Sequence, residues 1–198
     1  KVNAVKIGML SRPEVIETVA AGLDRHNMTQ VVLDPVMISA SGHRLLVPEA
    51  IESLQAVLLR RALLITPNLP EAAALLHTEP ATTNAQVRRQ AERLMTFGPK
   101  AVLIKGGHGE GADSIDVLLD HEGFMELSAP RVETKNTHGT GCTLSSAIAS
   151  GLTKGMGLRD AVRMAKAYLT SAILHSNELH IGGGHGPVHH FHEWWNRQ

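Results

Sequence analysis

The stretch Asn136-Thr137-His138-Gly139-Thr140-Gly141-Cys142-Thr143-Leu144 sets glycines, hydroxyls and the chain's one cysteine directly ahead of a helical apolar pattern. A turn of this composition that opens a helix is an anion site. Free N–H groups converge there, and the helix dipole favours negative charge. Gly139, Thr140 and Gly141 can offer their backbone N–H groups to phosphate oxygens, because glycine permits close approach and positive φ. Cys142 falls where a helix N-terminus favours a thiolate, and a thiolate there orients or deprotonates an attacking alcohol. The plain alternative is a small residue packing a helix start. Neither G-x-x-x-x-G-K-[ST] nor G-x-G-x-x-G occurs, so a phosphate site in this chain uses another geometry.

Three further polar stretches end apolar runs. Lys105 follows Ala101-Val102-Leu103-Ile104 and precedes Gly106-Gly107; from there a lysine reaches a nucleotide phosphate as a point charge, or is simply solvated at a strand end. Asp34, in Asp34-Pro35, and Glu71, in Thr66-Pro67-Asn68-Leu69-Pro70-Glu71, are carboxylates that suit magnesium, directly or through water. Taken singly, Asp-Pro is an ordinary turn and Glu71 an ordinary first-turn acid. Asn68 either caps the short helix that follows or touches a nucleotide. Phosphoryl transfer needs donors where the migrating group passes and a base for the attacking hydroxyl, and these stretches supply both kinds. Six of the twelve histidines, His175, His180, His185, His189, His190 and His192, crowd the C-terminal stretch. They lack partnering cysteines and a metal-ligand spacing. The reading preferred is a glycine-rich loop, 182–186, near a nucleotide, followed by a surface anchor of His189 to His192 with Trp194 and Trp195.

The elements that must position these groups alternate. Apolar runs at 4–10, 31–33, 62–66 and 101–104 read as buried strands, and Arg131-Val132-Glu133-Thr134 as a further one ahead of the glycine turn. Ser11 reads as the cap of a helix with Pro13 in its first turn and Val15, Ile16, Val19, Ala20 and Leu23 on one face. Pro48 opens a second helix, a short one runs from about Pro70 to Leu76, and Thr82-Thr83-Asn84 introduce a longer one that Gly98-Pro99 ends. Runs at 115–119 and 124–127 around Glu122-Gly123 suggest a hairpin, and a loop after Pro35 holds Ser39, Ser41 and Gly42. Helices follow from the glycine turn, with Leu144, Ala147, Ile148 and Leu152 inward, and from Leu158 to about His175. Strands alternating with helices mean a mostly parallel sheet covered on both faces, with ligands bound beyond the carboxyl ends of the strands.

At 198 residues, with 43% hydrophobic and 19% charged residues, one domain over 1–198 is expected. Nineteen basic and nineteen acidic residues balance to zero, which argues against a general nucleic-acid or anionic-membrane binder. One cysteine makes no intrachain disulfide, and no apolar run reaches membrane-spanning length, so a cytoplasmic setting is expected.

Together the motifs resemble those of the hydroxymethylpyrimidine/phosphomethylpyrimidine kinases of thiamine biosynthesis, within the ribokinase-like superfamily. The resemblance runs from Val5 to about Trp195. It rests on Lys6-Ile7-Gly8-Met9-Leu10, Leu33-Asp34-Pro35-Val36-Met37, Thr66 to Glu71, Lys105-Gly106-Gly107-His108, Asn136 to Ala147 and Gly186-Pro187-Val188-His189-His190-Phe191-His192. It implies a three-layer αβα sandwich and phosphorylation of 4-amino-5-hydroxymethyl-2-methylpyrimidine, then of its monophosphate, using ATP and magnesium. It implies that Gly139, Thr140, Gly141 and Cys142 form the anion hole and that Cys142 takes the place of the superfamily's usual aspartate. It implies that Lys105 stabilises the transferring phosphate, that Asp34, Asn68 and Glu71 hold nucleotide and magnesium, and that Met9 and Val36 line the pyrimidine pocket. A homodimer is expected on the same ground. Members of the family begin with a further strand-and-helix region, so this chain is expected to be the C-terminal part of the domain, lacking the first strands and inactive or poorly folded by itself. Two rivals stand beside this reading. One is a pyridoxal/pyridoxine kinase, a branch that commonly has aspartate at the position of Cys142. The other is a non-catalytic ligand-binding domain, whose mark would be loss of Lys105, Cys142 or the glycines.

Overall fold

The computed structural model describes residues 2–37, 45–108 and 111–195, and the loop of Ser39, Ser41 and Gly42 lies outside them. The described residues form a six-stranded sheet in the order β1 (Val5–Ile7), β2 (Val31–Leu33), β3 (Leu64–Ile65), β4 (Val102–Ile104), β5 (Asp113–Asp120) and β6 (Gly123–Pro130). The first four strands are parallel; β5 runs antiparallel to β4, and β6 pairs back on β5 as the hairpin.

Spatial order follows chain order, so every parallel crossover steps the same way. Right-handed crossovers then place all the intervening helices on one face. These are α1 (Pro13–Arg25), α2 (Pro48–Ser53), α3 (Leu69–Leu76) and α4 (Asn84–Met95). The other face is left for α5 (Thr140–Thr153) and α6 (Leu158–Leu174), which come after the hairpin. Strand alternation shows the division. Val31, Leu33, Ile65, Val102 and Ile104 pack with Ile16, Ala20, Leu54, Leu58, Leu75 and Leu94. Val32, Leu64 and Leu103 point the other way, onto Leu144, Ile148, Leu152, Ala161, Ala165 and Ala172. The result is the expected αβα sandwich.

Several local expectations are corrected. The cap of α1 is Arg12, not Ser11, and no side chain caps it; Pro13 at the first position has no N–H to satisfy. The helix opened by Pro48 widens into a π turn at Leu54–Leu58, which sequence periodicity did not announce. Arg131 to Thr134 are not a strand: the Arg131 N–H still donates to Ala112 O at 2.8 Å, but among the described residues no strand of the sheet pairs with the stretch, which leads from β6 to the glycine turn. Asn68 caps α3, the plain alternative for it, and Thr83 of the Thr82-Thr83-Asn84 stretch caps α4, each in a reciprocal box with the side chain three residues on, Glu71 and Gln86. In the C-terminal stretch the histidines do the packing: the rings of His192 and His175 stack at 5.1 Å, and Trp195 meets His189 edge-on at 5.2 Å. Phe191, Trp194 and Trp195 stay 60% exposed or more, so they do not anchor the stretch by burial.

Candidate active site

Parallel strands deliver their last residues to one edge, and three strand ends bring polar groups there. Asp34 follows β2, Thr66 and Asn68 follow β3, and Lys105 follows β4. The backbone ties these ends to one another: the Asp34 N–H donates to Ile7 O and the Lys105 N–H to Pro67 O, each at 2.9 Å. The Lys105 ammonium reaches across the edge to Asp34 Oδ1 at 2.7 Å and lies 3.8 Å from Glu71 Oε2. Asp34 is fully buried, and Glu71 nearly so. Two buried carboxylates thus share one ammonium. Burial pushes the Glu71 carboxyl above its ordinary value, and the charge of Lys105 and the N–H of Asn68 only partly oppose this.

The N-terminus of α5 faces this charge cluster. Gly139 caps it with φ +81°, a conformation suited to glycine, and no side chain serves as cap. Among the described residues, no protein group accepts a hydrogen bond from the N–H groups of Gly141 and Cys142. Bare N–H groups at a helix start await an anion. Gly141 is where helix and cluster meet: a Cβ there would lie 3.1 Å from Lys105 Nζ and 3.6 Å from Asp34 Oδ2. Cys142, one residue on, is exposed. Lys105, Asp34, Glu71 and Gly141 therefore converge, with Gly139, Thr140 and Cys142 adjoining Gly141 in the chain. Met9 and Val36 follow the adjacent ends of β1 and β2; Met9 is 50% exposed, with its side chain open to solvent rather than closed into a pocket wall.

Thr66 and Ser145 were missed by sequence reasoning. Both are fully buried. Thr66 Oγ1 donates to Asp34 Oδ1 at 3.0 Å, and Ser145 Oγ lies 3.4 Å from Asp34 Oδ2. Thr66 carried a signal, since it opens the polar stretch after β3; Ser145 carried none, being 111 residues from Asp34 in the chain. A second missed pair supports the lysine from behind. The Gly106 N–H donates to Asp116 Oδ1 at 2.8 Å, and the other oxygen of Asp116 pairs with Lys166 Nζ at 2.8 Å. A Cβ on Gly106 would run into the Ile115 carbonyl, so only glycine lets the chain turn this close to β5.

Asp34 and Glu71 fit a magnesium ion by donor chemistry: they are oxygen ligands, and their charge exceeds that of the ammonium between them. Asp34 Oδ1 is already engaged by Lys105 and Thr66, which favours contact through water on its side. Among the described residues, the only cluster of three potential metal-binding groups is Asp120, His121 and Glu122 on the hairpin turn, where Arg159 pairs with Asp120 at 2.6 Å.

Strand ends that present a lysine shared by two buried carboxylates to an uncapped helix N-terminus are the ground plan of a ribokinase-like small-molecule kinase. Comparison with known proteins narrows the class. The phosphomethylpyrimidine kinase family matches residues 1–189. A hydroxymethylpyrimidine/phosphomethylpyrimidine kinase of Rhizobium meliloti is 52% identical over 194 residues, 98% of this chain and 73% of that protein. The chain belongs to the phosphomethylpyrimidine kinase family. Among solved structures, phosphomethylpyrimidine kinase from Clostridium difficile aligns at 41% identity and a TM-score of 0.75, over 86% of this chain and 69% of that one. Pyridoxal kinase of Bacillus subtilis, in its ADP complex, aligns at a TM-score of 0.87 but 33% identity, over 96% and 69%. Backbone shape is thus common to both kinases, and sequence separates them.

Proposed function

We propose that the protein transfers a phosphoryl group from ATP to the hydroxymethyl group of 4-amino-5-hydroxymethyl-2-methylpyrimidine, and then to the resulting monophosphate, for thiamine diphosphate synthesis. The observation that carries this reading is the meeting of Lys105, Asp34 and the bare N-terminus of α5 at Gly141, with Cys142 one residue further. The N–H groups of Gly139 to Cys142 receive the transferring phosphate oxygens, and the helix dipole adds to their pull. Lys105 places a positive charge beside them, released from Asp34 to the phosphate as the nucleotide enters. Cys142 orients the alcohol and takes up its proton at Sγ. Asp34 and Glu71 would hold magnesium, which neutralises charge on the nucleotide phosphates when bound. Asn68 secures Glu71 through the capping box, with Glu71 Oε2 2.8 Å from the Asn68 N–H. Met9 and Val36 supply apolar contact for the ring.

Parallel ATP-consumption assays on the full-length protein, with the pyrimidine alcohol, its monophosphate and pyridoxine, test the proposal. Turnover of both pyrimidines, with pyridoxine slower, is the expected result. A preference for pyridoxine would overturn the substrate assignment. Turnover of none of the three, despite ATP binding, would favour a ligand-binding role. The proposal extends to one domain over 1–198, a cytoplasmic setting and a homodimer, supported by the family membership; a sedimentation coefficient that stays at the monomer value across a concentration series would remove the dimer. No helix among the described residues is long and apolar enough to cross a membrane.

A further inference from the structure

The stretch from Gly186 to His190 folds back against the glycine turn rather than trailing away. The His138 N–H donates to Gly186 O at 3.1 Å, and His138 pairs with Pro187 in a single parallel bridge. Gly186 is pressed so closely onto the Asn136 amide that a Cβ would overlap it, and Asn136 Nδ2 donates to Ser176 O at 2.7 Å. The far end of the stretch is tied to α6: the His189 N–H donates to Ala172 O and the Tyr168 hydroxyl to His190 O, each at 2.9 Å. His189 and Val188 are buried. Between these ties, His190 Nε2 lies 2.9 Å from Thr143 Oγ1, and Thr143 Oγ1 lies 2.8 Å from Gly139 O.

The direction of this chain of hydrogen bonds follows from proton counting. Thr143 has one hydroxyl proton, and an oxygen 2.8 Å from the Gly139 carbonyl needs it there. His190 Nε2 therefore donates to Thr143 Oγ1, which donates to Gly139 O. The Gly139 carbonyl, which also accepts the Thr143 N–H at 2.8 Å, is held turned into the helix. Of the peptide N–H groups that follow it, that of Thr140 donates to Thr137 O at 3.4 Å, while those of Gly141 and Cys142 have no protein acceptor among the described residues and lie where Gly141 adjoins Lys105 and Asp34. A residue in the left-handed region has soft alternatives, so a carbonyl held from two sides pre-sets the donor geometry before substrate arrives.

We propose that His190 is a positioning residue for the anion hole, acting through Thr143 on the Gly139 peptide, and that the Gly186–His190 stretch is the clasp that carries it. The proposal rests on the kinase reading for its catalytic consequence and on geometry alone for the clasp. His190 lies outside the groups placed at the reacting atoms; its backbone is tied to α6 and its ring reaches Thr143 on α5.

Two measurements on the full-length protein test it separately. The first is steady-state kinetics of His190→Phe, which keeps a ring but no donor, His190→Gln, which keeps a side-chain N–H, Thr143→Val and the double variant His190→Phe/Thr143→Val. Loss of preset donors should lower kcat about tenfold in His190→Phe and Thr143→Val, with KM for ATP and alcohol within about threefold. The double variant should be no worse than either single one, because both cut one path, and His190→Gln should recover most of the rate. The second is hydrogen–deuterium exchange, which needs no turnover. In His190→Phe, peptides covering 137–143 should exchange faster by about tenfold while those covering β2 and β4 are unchanged. Uniformly faster exchange would mark a general stabilising role and overturn the proposal, as would unchanged exchange at 137–143. A kcat within about twofold of the parent in His190→Phe would remove the catalytic consequence even if exchange rises. Should the parent show no kinase turnover, the kinase reading fails, and exchange still decides the clasp.

Discussion

Cys142 stands exposed at the third position of α5, beside N–H groups that have no protein partner among the described residues and one residue from Gly141, where a Cβ would meet Lys105. Among the described residues nothing packs the thiol into the core, so burial does not account for it. Cys142→Ala is expected to lower the phosphorylation rate by about two to four orders of magnitude, the range for loss of a positioned acid–base group, while ATP affinity measured by calorimetry is largely kept. Near-normal turnover would exclude the thiol from the chemistry, and measurable rescue by Cys142→Asp would support a base role. Glu71 carries a prediction of another kind. Burial raises its carboxyl pKa, and Lys105 acts against that shift. The folded protein therefore holds this proton more tightly than the unfolded chain does. That contribution is fully present below the ordinary value of 4.5 and is lost as pH rises through the raised one. Relative to Glu71→Gln, the urea midpoint of the parent should fall as pH increases across this window; a constant difference between the two would contradict the assignment. Asn68, Glu71 and Lys105 were legible as candidates because each ends an apolar run. That Glu71 serves the cap and the charge cluster together was not, since that depends on β4 lying beside β3.

At the scale of elements, the glycine turn and α5 form the working unit. The sequence pattern found both the start of the helix and its inward face, because turn chemistry and a 3.6-residue period are local properties. It misread Arg131 to Thr134 as a strand, because extended, β-branched residues look alike whether or not a neighbouring strand pairs with them. Gly141 separates helix formation from function. Alanine is the better helix former by about 1 kcal/mol, so Gly141→Ala should hold or raise the melting temperature. Its methyl group would also lie 3.1 Å from the Lys105 ammonium and push it by a few tenths of an ångström, so kcat should drop by about tenfold. Parallel melting curves and kinetics check this, and a loss of both stability and activity would mean that the glycine serves folding instead.

At the scale of the whole molecule, the two faces of the sheet are joined through buried polar groups as well as apolar packing. Asp116 on β5, Lys166 on α6 and the Gly106 amide behind Lys105 form one such junction. Asp116→Ala would leave the Lys166 ammonium buried without its partner, and about 3–5 kcal/mol of unfolding free energy should be lost in chemical denaturation. A cost below about 1 kcal/mol would show that water or Ser114 takes over. By itself the sequence determined the class of the fold, the helices, the hairpin and the strand ends where chemistry gathers, since periodicity, caps and turn residues act over a few positions. Its motifs also pointed to the family that comparison then established. Only the tertiary structure decided that Lys105 bridges Asp34 and Glu71, that Thr66 and Ser145 hold Asp34, and that His190 reaches Thr143. Each of those contacts joins residues on different elements, and their distance is set by the order of strands in the sheet and by which face each helix covers, quantities that no short stretch of chain contains.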